Sequence, residues 1–185
     1  AAVRPKDSFH DAFQFFIQMI AEGIQPDKFT FVSVIDACTG LLNLQMGKII
    51  HVLVISVGCE HDLLVGTALV NMYAKCGAIV EARDAFSSLL ERDAVSWNVM
   101  LGILTEHGEV EKAFWTFCKM QQEDVMPDKF TFVNLLDSCS IPVLLCEGER
   151  LHAYIVELSI EADVMVGTAL VTMYGKCNGV ESAYR

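Results

Sequence analysis

One duplicated stretch constrains the fold of this chain more than any other feature. Residues 62–76 read DLLVGTALVNMYAKC and residues 163–177 read DVMVGTALVTMYGKC, a displacement of 101 residues from Asp62 to Asp163. The hexapeptide DKFTFV also occurs twice, at residues 27–32 and 128–133, with the same displacement. A sequence that returns at a fixed displacement indicates a copied structural unit, so the chain is predicted to be a repeat array.

Shorter units lie within this displacement, and each complete unit ends at an Asp. The complete units are residues 28–62, 63–93, 94–128 and 129–163, with lengths of 35, 31, 35 and 35, and partial units are residues 1–27 and 164–185. Each complete unit holds two apolar segments of helical periodicity, separated by a break such as Gly77 or Gly108. Because such helix pairs cannot bury their apolar faces alone, they stack on their neighbours. We therefore predict an all-α, right-handed superhelical solenoid of antiparallel helix pairs, with roughly ten helices.

Composition excludes several classes of protein. The 185 residues are 53% hydrophobic with a mean hydropathy of +0.40, which argues against a disordered chain. No uncharged apolar run reaches the roughly 18 residues of a membrane span, so we expect a soluble protein without membrane contact. The formal net charge of −11 argues against a nucleic-acid binder that works through dense basic patches. Because no Met and no cleavable leader begin the sequence, we expect a fragment whose targeting peptide lies elsewhere.

The seven cysteines are scattered and contain no Cys-x-x-Cys pair. Cys38 and Cys139 are repeat equivalents, and so are Cys76 and Cys177. We therefore expect buried, reduced thiols that fill small gaps in the core, rather than disulfides or metal ligands. No metal site and no cofactor are predicted.

The residues of the units resemble the pentatricopeptide repeats of the plant PLS subclass, in which P, L and S repeats alternate. DAVSWNVM at residues 93–100 resembles a P repeat, PDKFTFVSVIDAC and PDKFTFVNLLDSC resemble L repeats, and GTALVNMYAKCG and GTALVTMYGKC resemble S repeats. Tetratricopeptide arrays share the helix pairs, but their fixed period of 34 residues and their Trp/Leu-Gly/Tyr signature do not fit. The departures from the pattern, Leu101–Leu104 and Pro142, affect the expected local packing more than the fold.

This resemblance assigns a repeat type to each unit. Residues 1–27 would be a partial P repeat, 28–62 an L repeat, 63–93 an S repeat, 94–128 a P repeat, 129–163 an L repeat and 164–185 a partial S repeat.

The resemblance also implies single-stranded RNA as the partner, with one base per repeat read by the fifth and the last side chain of each repeat. The implied pairs are Thr67 with Asp93, Asn98 with Asp128, Val32 with Asp62, Val133 with Asp163, and Thr168 without its partner. The second residues of the repeats, among them Leu64, Val95 and Phe29, would be apolar wedges that hold the bases. The alternative for these second residues is an ordinary place in the core.

The chemistry of these side chains agrees with the implied reading. A carboxylate only accepts hydrogen bonds, so Asp in the last position favours G or U, whose ring N–H donates. The family's pairing rules imply G opposite Thr67 and Asp93, and U or C opposite Asn98 and Asp128. Val offers no hydrogen bond, so the L repeats should contribute weakly or act as spacers. The alternative for every closing Asp, most of all Asp27, Asp62 and Asp163, is helix capping.

The function implied by the resemblance is the recognition part of an organellar C-to-U RNA-editing factor. It would act in a mitochondrion or chloroplast, with editing-complex proteins as further partners. Modest phosphate attraction would come from the recurring Lys28, Lys75, Lys129 and Lys176, so we expect weak RNA binding. The alternative function is a protein-binding helical scaffold without RNA contact, whose acidic surface meets a basic partner.

No catalytic residue is predicted. His107-Gly108-Glu109 has the His-x-Glu of zinc deaminases, but the Pro-Cys-x-x-Cys partner motif is absent from the sequence. His51 and His152 are repeat equivalents on second helices, where packing or a side-chain hydrogen bond is expected.

Overall fold

The structure is a computed structural model that describes residues 5–177. In that range it contains ten α-helices, one short 3-10 helix and no strand, which confirms the all-α prediction. The helices are α1 (Pro5–Ala21), α2 (Lys28–Leu41), α3 (Leu44–Val57), α4 (Leu63–Lys75), α5 (Ile79–Ser88), α6 (Ala94–Glu106), α7 (Val110–Gln122), α8 (Lys129–Ser138), α9 (Leu145–Glu157) and α10 (Val164–Lys176). The 3-10 helix Pro142–Leu144 precedes α9 directly. Residues 1–4 of the first partial unit and residues 178–185 of the last lie outside the described range.

The first helix of each complete unit begins directly after an Asp. The carboxylates of Asp27, Asp62, Asp128 and Asp163 accept hydrogen bonds from backbone N–H groups in the first turns of α2, α4, α8 and α10. Asp93 does the same for α6, where the N–H of Ser96 donates to it over 2.8 Å. Helix capping, the alternative interpretation of these residues, is therefore observed at all five of them. An N-cap of this kind stabilises a helix by about 1 kcal/mol.

Two of the four breaks between paired helices contain a glycine in the left-handed region, and the break between α2 and α3 has Leu42 there, with a φ of 52°. Gly77 has a φ of 74° between α4 and α5, and Gly108 has a φ of 67° between α6 and α7. A residue without Cβ adopts these angles without strain, and it ends the helix that precedes it.

The chain divides into two compact halves, Ala1–Ser96 and Trp97–Arg185. In the first half, α2 packs on α1, α3 and α4, and α4 packs on α5. Its fully buried side chains include Phe31, Ile35, Ile50, Leu69 and Met72. Burial of each such side chain stabilises the fold by about 1.5–3 kcal/mol.

The second half repeats this arrangement, with α8 packed on α7, α9 and α10. Its core contains Phe132, Leu135, Leu136, Ile155 and Met173, all fully buried. Within residues 5–177, no helix combines the length and the apolar character that crossing a bilayer requires.

The cysteine prediction is correct in part. All seven cysteines are free, and Cys38, Cys139 and Cys177 are buried. Cys118 and Cys146, however, are exposed, so the prediction of buried thiols is wrong for these two. They lie on the outward faces of α7 and α9, away from the buried positions of those helices.

Candidate nucleic-acid interface

The side chains of Asn98 and Asp128, proposed from the sequence as a base-reading pair, are hydrogen-bonded directly to each other. Asn98 lies in α6, and Asp128 lies at the start of α8. Nδ2 of Asn98 donates to Oδ1 of Asp128 over 2.8 Å. The backbone N–H groups of Phe130 and Thr131 donate to the same oxygen, over 2.9 and 3.0 Å. Among residues 5–177 no hydrogen bond reaches Oδ2 of Asp128, so this oxygen remains available to accept one from a ligand.

The orientation of Asn98 is fixed by two residues that the sequence analysis did not single out. Oγ1 of the fully buried Thr131 donates to Oδ1 of Asn98 over 2.7 Å. Nδ2 of Asn134 donates to the backbone carbonyl of Asn98 over 3.1 Å. Thr131 Oγ1 also accepts from the backbone N–H of Asp128, which completes a capping box. The Asp-x-x-Thr spacing of that box is a signal from which Thr131 could have been found.

Thr67 and Asp93 are arranged differently. Only 9% of Thr67 is exposed, and its Oγ1 is buried without a hydrogen-bond partner among the described residues. Asp93 caps α6 through Oδ1, and no hydrogen bond joins it to Thr67. Leaving a buried hydroxyl unpaired costs about 1–3 kcal/mol.

The closing residues of the 28–62 and 129–163 units have both carboxylate oxygens occupied. Oδ1 of Asp62 accepts from the N–H of Leu64 over 3.0 Å, while Oδ2 lies 3.3 Å from Nζ of Lys28. Oδ1 of Asp163 accepts from the N–H of Met165 over 2.8 Å, while Oδ2 lies 3.4 Å from Nζ of Lys129. The Met165 N–H, followed by the Val166 N–H and Lys129, lowers the pKa of Asp163.

The fifth residues of these two units offer no polar group. Val32 and Val133 are half-buried. In the last unit, the exposed Thr168 donates its hydroxyl to the carbonyl of Val164 over 2.7 Å. The position that would pair with Thr168 lies beyond the sequence.

The second residue of each unit is exposed although it is apolar. The exposed fraction is 62% for Phe29, 51% for Leu64 and 56% for Val95. The equivalent residues Phe130 and Met165 are exposed as well. The core alternative is therefore wrong for these side chains, which lie free to contact a ligand.

The four recurring lysines fall into two classes. Lys28 and Lys129 are paired with carboxylates, whereas no ion pair forms on Lys75 or Lys176 within the described range. Of these four lysines, Lys75 and Lys176 are therefore the ones that a phosphate could meet directly.

The histidines have structural partners. Nδ1 of His51 lies 2.8 Å from the hydroxyl of Tyr73, and Nδ1 of His152 lies 3.0 Å from the hydroxyl of Tyr174, so the expected side-chain hydrogen bonds are confirmed. Nδ1 of His107 lies 2.8 Å from the carbonyl of Ile103. In the part of the chain that the structure describes, no group of three His, Cys, Asp or Glu residues could hold a metal ion.

Family models for pentatricopeptide repeats match two stretches of the chain. The model described as the PPR repeat family matches residues 92–140, and a second model, described as the PPR repeat, matches residues 67–93. One pentatricopeptide repeat-containing protein of Arabidopsis thaliana is 36% identical over 175 residues, which is 95% of this chain and 18% of the relative. Another, labelled chloroplastic, is 36% identical over 168 residues, which is 91% of this chain and 31% of the relative. The chain thus spans about a fifth to a third of the length of these relatives.

Solved structures share the fold. The crystal structure of the pentatricopeptide repeat protein PPR10 in complex with an 18-nucleotide psaJ RNA element superimposes with a TM-score of 0.72 at 22% identity, covering 91% of this chain and 26% of that one. The structure of PPR10 from maize covers 96% of this chain and 26% of that one, at 21% identity and a TM-score of 0.63. These matches confirm an all-α helical-repeat solenoid.

Proposed function

Because this chain is built of pentatricopeptide repeats, we propose that it binds single-stranded RNA sequence-specifically, with one base per repeat. The observation that carries the proposal is the Asn98–Asp128 pair. Thr131 holds the amide of Asn98 in one orientation, and Asp128 keeps Oδ2 unoccupied among the described residues. An oriented amide beside a free carboxylate oxygen suits the edge of a base that carries a ring N–H. The RNA complex of the similar protein PPR10 supports the same partner.

The proposed base preferences follow from the two pairs. Asn98 with Asp128 takes U or C, and Thr67 with Asp93 takes G. The support for the second assignment is Oδ2 of Asp93, which no donor reaches among the described residues, whereas the hydroxyl of Thr67 is buried. The exposed Leu64 and Val95 would pack on the faces of the bases, as apolar and aromatic side chains do in single-strand binding.

We also propose that the units follow the PLS order, with the L repeats at residues 28–62 and 129–163, the S repeats at 63–93 and 164–185, and the P repeats at 1–27 and 94–128. In that subclass the array is the recognition part of a C-to-U RNA-editing factor. Such a factor works in a mitochondrion or chloroplast together with editing-complex proteins. Curated relatives labelled chloroplastic and mitochondrial support an organellar location.

The test is a binding selection on random single-stranded RNA with the wild-type chain and the Asn98→Ser variant. The base opposite the 94–128 unit is expected to change from a pyrimidine to a purine, because the shorter hydroxyl leaves room for the larger ring. Asn71→Ser, the same substitution elsewhere on a first helix, is the matched control and should leave the selected sequence unchanged. An identical selection with wild type and Asn98→Ser contradicts the proposal.

Joint substitution of the four proposed base-reading residues distinguishes RNA recognition from the alternative function of a protein-binding scaffold. Substitution of Asn98, Thr67, Asp93 and Asp128 should abolish base selection. A scaffold that binds a basic protein partner would be indifferent to these four substitutions.

A further inference from the structure

Two equivalent ion pairs close the 28–62 and 129–163 units. Nζ of Lys28 lies 3.3 Å from Oδ2 of Asp62, and Nζ of Lys129 lies 3.4 Å from Oδ2 of Asp163. In each unit the lysine is the first residue and the aspartate is the last. The pairs are partly exposed, so they contribute little to stability. What they change is which carboxylate atoms remain free.

The partners of the two carboxylate oxygens of the closing Asp distinguish these two units from the 63–93 and 94–128 units. In Asp62 and Asp163, Oδ1 accepts from the helix N-terminus and Oδ2 meets an ammonium group. In Asp93 and Asp128, Oδ1 accepts from the helix N-terminus in the same way, yet no donor reaches Oδ2 among residues 5–177. The difference has a simple origin in the sequence. The 63–93 and 94–128 units begin with Leu63 and Ala94 where the other two begin with lysine.

A base meets mainly apolar and aromatic groups in the two lysine-bearing units. Val32 and Val133 have no polar atom on the side chain. The exposed rings of Phe29 and Phe130 lie next to the lysines, with each Nζ 5.6 Å from the ring centroid. An aromatic face stacks on any base, because every base presents a π-face. Such a surface holds a base without identifying it.

We infer that Lys28 and Lys129 are specificity-determining residues: by occupying Oδ2 of Asp62 and Asp163, they make the 28–62 and 129–163 units bind a base by stacking without selecting it. This inference rests on the proposed RNA binding and adds the reason why two of the complete units are indifferent to sequence. The lysines act through the carboxylates, and their own charge remains near the bound strand.

The test compares random-RNA selections on the whole chain, wild type and the double variant Lys28→Met with Lys129→Met. Methionine keeps the length of the side chain and removes its charge. In the wild type, the bases opposite the two units should be unselected. In the double variant, Oδ2 becomes a free acceptor, as in Asp128. G and U should then be enriched at both positions by about two- to tenfold, the range expected for one net hydrogen bond.

The matched control is Lys75→Met with Lys176→Met, which removes the same charge from equivalent positions without touching a closing carboxylate. It should weaken binding to all sequences alike and create no new preference. Titration of Asp163 by NMR is a readout that needs no RNA. The pKa of Asp163 should rise in the Lys129→Met variant and stay unchanged in Lys176→Met.

The outcomes separate the two proposals. A wild-type chain that selects no base opposite Thr67 or Asn98 contradicts the proposed function, and this inference with it. Selection at those positions, with no new preference in the Lys28 and Lys129 double variant, overturns only the role of the lysines. So does an unchanged Asp163 titration.

Discussion

Nδ2 of Asn98 donates a 2.8 Å hydrogen bond to Oδ1 of Asp128. The same oxygen accepts from the first turn of α8, so one atom both caps a helix and orients the neighbouring amide. The second oxygen, Oδ2, accepts no hydrogen bond from the described residues. Under the proposed function, recognition would use Oδ2 while helix capping uses Oδ1, so the two could be changed independently.

The Asp128→Asn substitution tests this separation. Asn caps a helix about as well as Asp, so the free energy of unfolding should change little, whereas Asp128→Ala should lose about 1 kcal/mol. The amide places an NH2 donor where Oδ2 was, which favours a base with a ring acceptor. Preference opposite the 94–128 unit should move from U towards C by about two- to tenfold. Chemical denaturation and competition binding with two RNAs that differ in this base measure the two effects.

A second prediction concerns the stability of the chain against pH. Burial lowers the pKa of His51 from its ordinary value of 6.5, and Glu60 opposes this shift in part. The unfolded chain therefore binds the proton more readily than the folded one. Stability from this residue is complete above pH 6.5 and is lost as the pH falls towards the folded pKa, at up to about 1.4 kcal/mol per pH unit. Urea unfolding between pH 5.5 and 7.5 measures the slope.

The variants for this experiment are His51→Gln and His61→Gln. Gln can still bond to the Tyr73 hydroxyl but does not titrate, so His51→Gln should flatten the profile. His61 has an exposed side chain, and its substitution is the matched control for the loss of one histidine. A slope that survives in His51→Gln would assign the effect to another group.

A third prediction uses the close approach of α3 to α4. A Cβ on Gly47 would overlap the sulfur of Met72, which is fully buried. Gly148 repeats this contact, with its Cβ position 2.7 Å from Sδ of Met173. Gly47→Ala should lower the free energy of unfolding by about 1–3 kcal/mol because Met72 must move within a packed core.

The matched control is Gly175→Ala within α10. Among the described residues, and apart from its chain neighbours and the backbone of α10 itself, no atom lies within 4 Å of the Cβ position of Gly175. Ala is the better helix former, so this substitution should stabilise the chain by about 0.5–1 kcal/mol. Thermal unfolding of both variants gives the comparison, and equal signs for the two would contradict the packing argument.

A fourth prediction separates the thiols by reactivity. Burial raises the pKa of Cys38 and of Cys139 to about 12, whereas Cys118 and Cys146 are exposed. The thiolate is the reactive form, so at neutral pH the buried pair has roughly a thousandfold less of it than an ordinary thiol. A maleimide followed by peptide mass spectrometry should label Cys118 and Cys146 first. Labelling of Cys38 at a similar rate in the folded chain would argue against this core.

The helices could be predicted from the sequence because they depend on local signals. The two apolar segments of helical periodicity in the 94–128 unit span residues 95–106 and 110–123, and they differ from α6 and α7 by one residue at one end. Asp93 before α6 and Gly108 between α6 and α7 set these limits. The exposure of Cys118 could also have been predicted from the sequence. The buried Ala113, Thr116, Phe117 and Met120 follow the helical period of α7, and Cys118 is off that stripe.

The candidate site could be predicted only in part. Counting along the repeat identified Asn98 and Asp128, and the structure brings them together. Counting along the repeat could not show that Thr67 is buried or that Lys28 meets Asp62. A contact between residues 34 positions apart depends on how successive helix pairs stack. Which oxygen of a carboxylate is occupied is likewise a property of three-dimensional placement alone.

The closing Asp of each unit also limits how an array can be rearranged. Asp62 ends one unit and starts the first helix of the next, so the residue at this junction must suit both sides. Asp, Asn, Ser, Thr and Gly are the preferred N-cap residues, so the residue at a junction is restricted to this small set. Under the proposed function, the closing residue of a unit moved between arrays would supply both its own base contact and the N-cap of the next unit's first helix. The closing residue of a unit in an engineered array should therefore be one of these preferred N-caps. Within that set, it should be chosen for the intended base.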